Sequence, residues 1–295
     1  MNLHALRIFT IVAKLESITE AANLLHISQP AVTAQVRNLE REIGVKLISS
    51  KGRGIQLTSE GKFLYEQGLR LFQLEEQIEE KIKTFLEKKE KIQIASSYIS
   101  TNYILPPIVA SYKQENPDVE IYVSLGNVQS VEERVLNYEV DFGLVIQSNI
   151  GHEDLYFEKI LDVPFWFVVH PTHPLANKKI SMFDLSEYDF VYREKGSSTR
   201  DLLEAIFYTH NCPLPKFGIE VQGVLESIKF VEAGYGIAIA PACGVVERIE
   251  QGKLARVFVK QAEIHQSLFI CTRKIEKCEH KFIQYLKKSL IESET

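Results

Sequence analysis

Cysteine is scarce in this 295-residue chain: Cys212, Cys243, Cys271 and Cys278 stand apart, with no Cys-x-x-Cys pair. That spacing argues against a zinc ribbon or thioredoxin-like redox site and for free, buried thiols. No apolar run is long enough to span a bilayer and no basic-then-apolar leader opens the chain, so a cytoplasmic location is expected, with no membrane partner. A net charge of −5 weighs against a general polyanion binder but leaves room for a locally basic module. There is no Gly-x-Ser-x-Gly elbow, Walker loop or Gly-x-Gly-x-x-Gly turn, so an enzyme is not expected. His170-Pro171-Thr172-His173-Pro174-Leu175 lacks the His-Glu-x-x-His frame, and its prolines break the helix that would align metal ligands. No metal and no cofactor is expected.

Hydrophobic residues at 45% and charged residues at 25% make an ordinary globular chain, long enough for two or three domains. Its most telling stretch runs from Ser28 to Glu40. Ser28 suits a helix N-cap and Pro30 fits the first turn, where its missing N–H has no helical partner. Val32, Val36 and Leu39 recur at helical spacing, while Gln29, Thr33 and Arg37 stack on another face beside Gln35. An amide, a hydroxyl and a guanidinium in that order suit base edges and phosphates. Just upstream, Ser17-Ile18-Thr19-Glu20 fits a capping box opening a short helix through Leu25. Two short helices across so tight a turn make a helix-turn-helix, although the pair alone is equally compatible with a plain helical hairpin. A first helix, Met1 to about Leu15, would turn Leu3, Leu6, Phe9 and Val12 inward to brace it.

After Gly44, two short strands (46–50 and 54–58) flank Lys51-Gly52-Arg53, a basic hairpin tip read as a wing with Arg53 toward DNA. Arg7, Lys14, Arg37, Arg41, Lys46, Lys51 and Arg53 give this segment its basic tilt. From Ser59 to about Lys89 follows one long polar helix whose stripe of Leu64, Leu71, Leu74, Ile78, Ile82 and Phe85 has coiled-coil spacing. A helix this polar needs a partner to cover that stripe.

From Lys91 the texture alternates strand and helix, which argues an α/β domain with mostly parallel sheets. Strands are expected at 92–96, 119–125, 141–146, 164–170, 190–192, 219–222, 237–240, 256–259 and 267–272. Helices are expected at 103–115, 131–138, 199–210, 226–233, 243–251 and 274–291. Phe165-Trp166-Phe167 reads as core or interface. Ligands of α/β sheets gather beyond the carboxyl ends of strands, where helix N-termini favour anions. Four segments have that position: Ser96-Ser97-Tyr98-Ile99-Ser100-Thr101, Gly126-Asn127-Val128-Gln129-Ser130, Gly196-Ser197-Ser198-Thr199-Arg200 and Gln222-Gly223-Val224-Leu225-Glu226. Each is equally a plain helix cap. As a set they make Ser96, Ser97, Ser100, Thr101, Asn127, Ser197, Ser198, Thr199 and Gln222 the candidates for holding a small, anionic effector.

The run Phe9 … Ser17-Ile18-Thr19-Glu20-Ala21-Ala22 … Ser28-Gln29-Pro30-Ala31-Val32-Thr33 … Leu39-Glu40 … Gly44 … Leu57-Thr58-x-x-Gly61 resembles the N-terminal domain of LysR-type transcriptional regulators. Ala34 departs from it, standing where the family often has Arg or Lys; this shifts the reading toward Gln35 and Arg37. Gly196-Ser197-Ser198-Thr199-Arg200 is similar to the corresponding run of the carbon-fixation and sulfur-assimilation regulators of that family, and Val224-Leu225 departs where relatives more often carry a small polar residue. The resemblance implies a winged helix-turn-helix (1–58) reading double-stranded promoter DNA through Ser28, Gln29, Pro30, Thr33, Gln35, Arg37 and Arg53. It implies a linker helix (59–90) pairing subunits into a homodimer or homotetramer. It also implies a periplasmic-binding-protein-like effector domain (91–295), with subdomain I at 91–161 and 265–295, subdomain II at 162–264, and crossings near Leu161-Asp162 and Ala262-Glu263. The alternatives are a small-molecule-binding module with no role on DNA, or an enzyme with a DNA-binding appendage.

Overall fold

The computed structural model describes residues 1–51, 54–87, 90–147, 152–260, 263–276 and 280–293. The chain divides into two compact units, Met1–Lys88 and Lys89–Thr295.

In the first unit, each helix starts at a side-chain cap. Asn2 accepts the N–H groups of His4 and Ala5 at the head of α1 (Leu3–Leu15), and Ser17 accepts that of Glu20 at the head of α2 (Ile18–Leu25). Ser28 accepts the Ala31 N–H at the head of α3 (Gln29–Ile43), which ends at Gly44 with φ +86°. Leu6, Phe9, Val12, Ala21, Ala22, Val32, Val36 and Leu39 are buried together as one core. Leu3, expected inside, is 55% exposed at the first position of α1, directly after the Asn2 cap. Strands β1 (Ile48–Lys51) and β2 (Gly54–Leu57) pair antiparallel in the register Ile48↔Leu57. The tip residue Arg53 lies outside the described residues.

One buried carboxylate ties this hairpin to α3. Glu40 is 6% exposed and accepts the Leu47 N–H at 2.9 Å, the Ile48 N–H at 3.4 Å and the Lys46 ammonium at 2.8 Å. Burial pushes its pKa up, but those three donors outweigh it and hold the carboxyl below its ordinary value. The same end of the hairpin is also fixed by Thr58, which donates to the Lys46 carbonyl at 2.7 Å and accepts the Gly61 N–H at 2.9 Å. A methyl on Gly61 would overlap the Leu47 carbonyl, which is the steric reason for glycine three residues after Thr58. The long helix α4 (Ser59–Glu87) begins there. Gly68 lets α4 pack on α1, since a methyl there would overlap the Thr10 hydroxyl.

The second unit is built on a ten-stranded mixed sheet with spatial order β4-β3-β5-β12-β6-β10-β8-β9 among the described residues. Its elements in chain order are β3 (Lys91–Ser96), a π-helical turn (Ser100–Ile104), α5 (Leu105–Glu115), β4 (Glu120–Leu125), α6 (Val128–Leu136), β5 (Phe142–Gln147) and β6 (Leu155–Val169). There follow β7 (Lys179–Ile180), α7 (Met182–Leu185), β8 (Asp189–Arg193), α8 (Ser198–Thr209), β9 (Lys216–Val221), α9 (Val224–Glu232) and β10 (Ile237–Pro241). The unit closes with α10 (Ala242–Glu250), β11 (Ala255–Val259), β12 (His265–Arg273) and α11 (Lys281–Ser293). Strands β4, β3 and β5 are parallel, as are β10, β8 and β9. The expectation of mostly parallel pairing fails in the middle: β12 is antiparallel to both β5 and β6, and β6 is antiparallel to β10 and β11.

Strand β6 also starts nine residues earlier than the sequence suggests, because its first half is held by the long-range ladder to β12. It pairs with β12 from Leu155 to Pro164 and with β10 from Phe165 to Val169. The sheet thus changes partners at Pro164-Phe165, where the Phe165 N–H reaches the Ile264 carbonyl at 2.8 Å. Helix α11 begins later than expected, at Lys281, since 274–276 form a turn pinned by the Arg273–Glu276 ion pair. The Arg273 guanidinium is buried and also donates to the carbonyls of Val135 and Val140, which fixes the end of α6. Cys243, expected to be buried, is exposed on α10.

Replacing Glu40 with alanine leaves two N–H groups and an ammonium without their acceptor. The first unit is expected to lose about 2 kcal/mol, read by urea unfolding of the full chain. Because the folded carboxyl titrates below the unfolded one, the contribution is complete above about pH 4.5 and is lost as the pH falls through the folded value. Wild-type and Glu40→Ala stabilities should therefore converge in acid.

Candidate functional site

On α3, Gln29 and Arg37 are exposed and Thr33 is half-buried, one and two turns apart along one face. The Thr33 hydroxyl donates to the Gln29 carbonyl at 2.9 Å, so its proton is already spent within the helix. Ser28 and Pro30 are exposed at the head of the helix and Gln35 is half-buried on its flank. On α4, Leu71, Ile78 and Ile82 are exposed and Leu74 is half-buried, while the Phe85 side chain lies outside the described residues. Leu64 belongs elsewhere: it packs on the core of its own unit. Beside it, Ile43, Val45 and the 65% exposed Phe63 line an apolar groove.

In the second unit, one cavity of about 390 Å³ opens where the carboxyl ends of β3, β4, β8 and β9 meet. All four segments singled out above contribute to it. Ser97, Asn127, Ser197, Ser198, Thr199 and Gln222 line it. Ser96, Ser100 and Thr101 do not. Ser96 is fully buried behind the wall, and Ser100 is equally buried with its Oγ 3.2 Å from that of Ser97. Thr101 is half-buried, its hydroxyl oxygen unpartnered.

The helix starts explain why these residues converge. Asn127 caps α6 through the Ser130 N–H at 2.8 Å, and Ser197 caps α8 through the Arg200 N–H at 3.4 Å. Gly223 begins α9 at φ +126° with no side chain to cap it. Three helix N-termini, with their positive dipole ends, thus face one cavity. Arg200 braces the second of them from behind. Its guanidinium bonds Glu204 at 2.8 Å, Glu220 at 2.7 Å and the Arg193 carbonyl at 3.1 Å. Gln266 does the same from β12, donating to the Ser198 carbonyl at 2.9 Å.

Sequence reasoning missed the charged and aromatic parts of the wall. Arg193 is 9% exposed and clamps Glu194 through two bonds of 2.8 and 2.9 Å. Burial pushes the Glu194 pKa up, yet Arg193 and the N–H groups of Glu194 and Gly223 outweigh it and hold the carboxyl low. Tyr98 accepts the Leu225 N–H on its phenol oxygen; burial and the nearby Glu226 charge raise its pKa. Ile99, Leu125, Val128 and Val224 supply apolar surface. Glu226 is exposed at the mouth, folded back over Gly223. An adjacent Arg-Glu pair reads in sequence as solvated surface, and only α8 and α9 packing over it makes it a wall. Among the described residues, no group of three or more His, Cys, Asp or Glu is arranged to hold a metal ion, and no helix is long and apolar enough to cross a membrane.

A winged helix-turn-helix joined in one chain to an α/β unit with an anion-favouring cleft is the build of a ligand-responsive DNA-binding regulator. Residues 3–62 match the family model described as bacterial regulatory helix-turn-helix protein, lysR family, and residues 87–290 match the LysR substrate binding domain. The chain belongs to the LysR family of transcriptional regulators. It is 31% identical over 271 residues to the uncharacterized HTH-type transcriptional regulator YeiE of Escherichia coli K12, covering 91% of this chain and 90% of that one. It is also 31% identical over 267 residues to the RuBisCO operon transcriptional regulator of Allochromatium vinosum, covering 88% and 86%. Full-length CbnR, solved complexed with its target DNA, shares the fold at TM-score 0.68 and 19% identity, over 98% of this chain and 100% of that one.

The Glu226 carboxylate stands at the cavity mouth without an ion-pair partner among the described residues, so it opposes entry of an anion. Glu226→Gln is expected to tighten binding of a simple oxyanion such as sulfate by up to about fivefold at low salt, an effect fading as salt screens it. Calorimetric titration of the full chain reads this directly; weaker binding in the variant would mean that Glu226 pairs with a donor on the ligand.

Proposed function

We propose that this regulator answers to a small anionic metabolite held in the second unit's cleft, and that it reads promoter DNA through the face of α3 carrying Gln29, Thr33 and Arg37. Ser28, Pro30 and Gln35 border that face, and Arg53, outside the described residues, is proposed as a further DNA contact. The observation that carries the ligand reading is the meeting of three helix N-termini with Ser97, Ser198 and Thr199 around one cavity. Hydroxyls and N–H groups in that arrangement hold an anion without a full buried countercharge. The apolar wall favours a ligand with some carbon framework, and Arg193, already satisfied by Glu194, contributes shape more than free charge.

The uncovered residues Leu71, Leu74, Ile78 and Ile82 on α4 support pairing with a second copy, as homodimer or homotetramer. Two copies place two α3 helices on a two-fold DNA site. In this reading 1–58 bind DNA, 59–90 link and pair subunits, and 91–295 sense the effector. Subdomain I is 91–161 with 265–295, and subdomain II is 162–264. The protein acts in the cytoplasm, where its DNA is, by binding rather than by catalysis. The ligand shifts the balance between arrangements of subunits only to the extent that it binds them with different affinity.

Two variants separate the roles. Arg37→Ala is expected to weaken operator binding at least tenfold and to lower the salt dependence of log K by about one ion, with an unchanged melting temperature. A matching loss of folding would remove Arg37 from the DNA face. A thermal-shift screen of the full chain against small carboxylates, phosphates and sulfur oxyanions should yield a stabilising ligand. At a hundredfold its Kd the gain is about 2.7 kcal/mol. Ser198→Asp is expected to abolish that gain while leaving DNA binding intact; an unchanged dose–response would take Ser198 out of the site.

A further inference from the structure

A second cavity, of about 190 Å³, lies in the second unit and shares no lining residue with the cleft. It is formed by β6 at Pro164 and Trp166, by β11 at Arg256 and Val259, and by Ile264 and His265 entering β12. Its one permanent cation is Arg256. That guanidinium lies over two rings, 4.1 Å from the centre of Trp166 and 4.7 Å from that of Phe258. Attraction to both rings holds the group in place and leaves its N–H groups for hydrogen bonding. Yet Nε is shut off from solvent with no acceptor, and no carboxylate pairs with the group among the described residues. Burial alone pulls the Arg256 pKa down, with no anion near enough to raise it.

The other charged groups at this cavity do not answer Arg256. Glu263 is 96% exposed and lies 3.8 Å from the His265 ring, itself 43% exposed. A planar, oriented and half-desolvated guanidinium costs stability while its Nε lacks an acceptor. Nε is closed to the cavity, but the two terminal NH2 groups carry no protein acceptor among the described residues, and the geometry that answers them is a carboxylate meeting both with two parallel bonds. Pro164, Trp166, Val259 and Ile264 then offer a wall for an apolar body of a few carbons.

We propose that this cavity is an accessory ligand site for a small monocarboxylate with a short apolar body, its carboxylate on Arg256 and its body against Trp166. The site is separate from the effector cleft and does not depend on what that cleft binds.

The test is calorimetric titration of the full chain with acetate, butyrate and phenylacetate at fixed ionic strength. One equivalent should bind saturably, with affinity rising about fourfold for each methylene that enters the cavity. Arg256→Gln should weaken butyrate at least tenfold, Arg256→Lys several-fold, and Ser198→Asp not at all. Should Arg256→Gln fail to fold, Arg256→Lys carries the comparison, and an affinity equal to wild type overturns the site. The proposal also fails if no carboxylate saturates, if acetate binds as well as butyrate, or if Ser198→Asp abolishes the binding. Light scattering covers the remaining source of a carboxylate. If Arg256→Gln reduces the oligomer and no free carboxylate binds, the guanidinium answers an acidic side chain of a second copy, and the site is not a small-molecule one.

Discussion

The antiparallel ladder between β6 and β12 is the constraint on which the second unit depends. Parallel strands on either side of it point their carboxyl ends at the same cavity because this ribbon joins the two sets into one sheet. Its register shifts between Leu268 and Phe269, leaving one residue of β6 unmatched and adding twist four residues before β6 changes partner. Gln266 leaves the same ribbon to hold the Ser198 carbonyl, so the ladder also sets the position of a cavity wall. Strain or slip in these two strands is felt at once in sheet order, wall position and cavity width.

The two units use the same device for different ends. A helix N-terminus needs acceptors for its first N–H groups. In the first unit Asn2, Ser17, Ser28 and Thr58 supply them from the chain itself, and the result is a stiff frame that presents α3. In the second unit α9 starts at a glycine with no side-chain cap, and its neighbours α6 and α8 start beside it. There the first N–H groups of α9 are met by Glu194 and Tyr98 from other elements, so these helix starts are tied together as the wall of a cavity.

This difference also explains what was legible in the sequence. Caps act over three or four residues, so Ser17, Ser28 and Asn127 could be read directly, and the helices they start fall within a few residues of expectation. The four wall segments were legible for the same reason, since strand-end glycines, serines and asparagines are local signals. Side-chain direction was not: Ser96 and Ser100 carry the right chemistry but turn into the core. Nor was strand direction, because β12 finds its place through partners more than a hundred residues away. Arg193, Glu194 and Tyr98 were missed because their burial is made by helices from distant parts of the chain. Arg256, likewise, looks like any surface arginine until the rings of Trp166 and Phe258 are seen beneath its guanidinium.

If α3 reads DNA through this face as proposed, the bond from Thr33 to the Gln29 carbonyl limits what it can offer a base pair. With its proton committed, Thr33 offers a methyl group and a lone pair but no donor. Its complements in the major groove are the thymine methyl and the exocyclic amino hydrogens of adenine or cytosine. Arg37 offers only donors, and Gln29 alone on this face offers both. The face therefore has a grammar of its own: a bilingual residue at the tip, an acceptor in the middle and a donor at the far end. An operator matched to it would present amino hydrogens or methyls at its centre and acceptors toward one side.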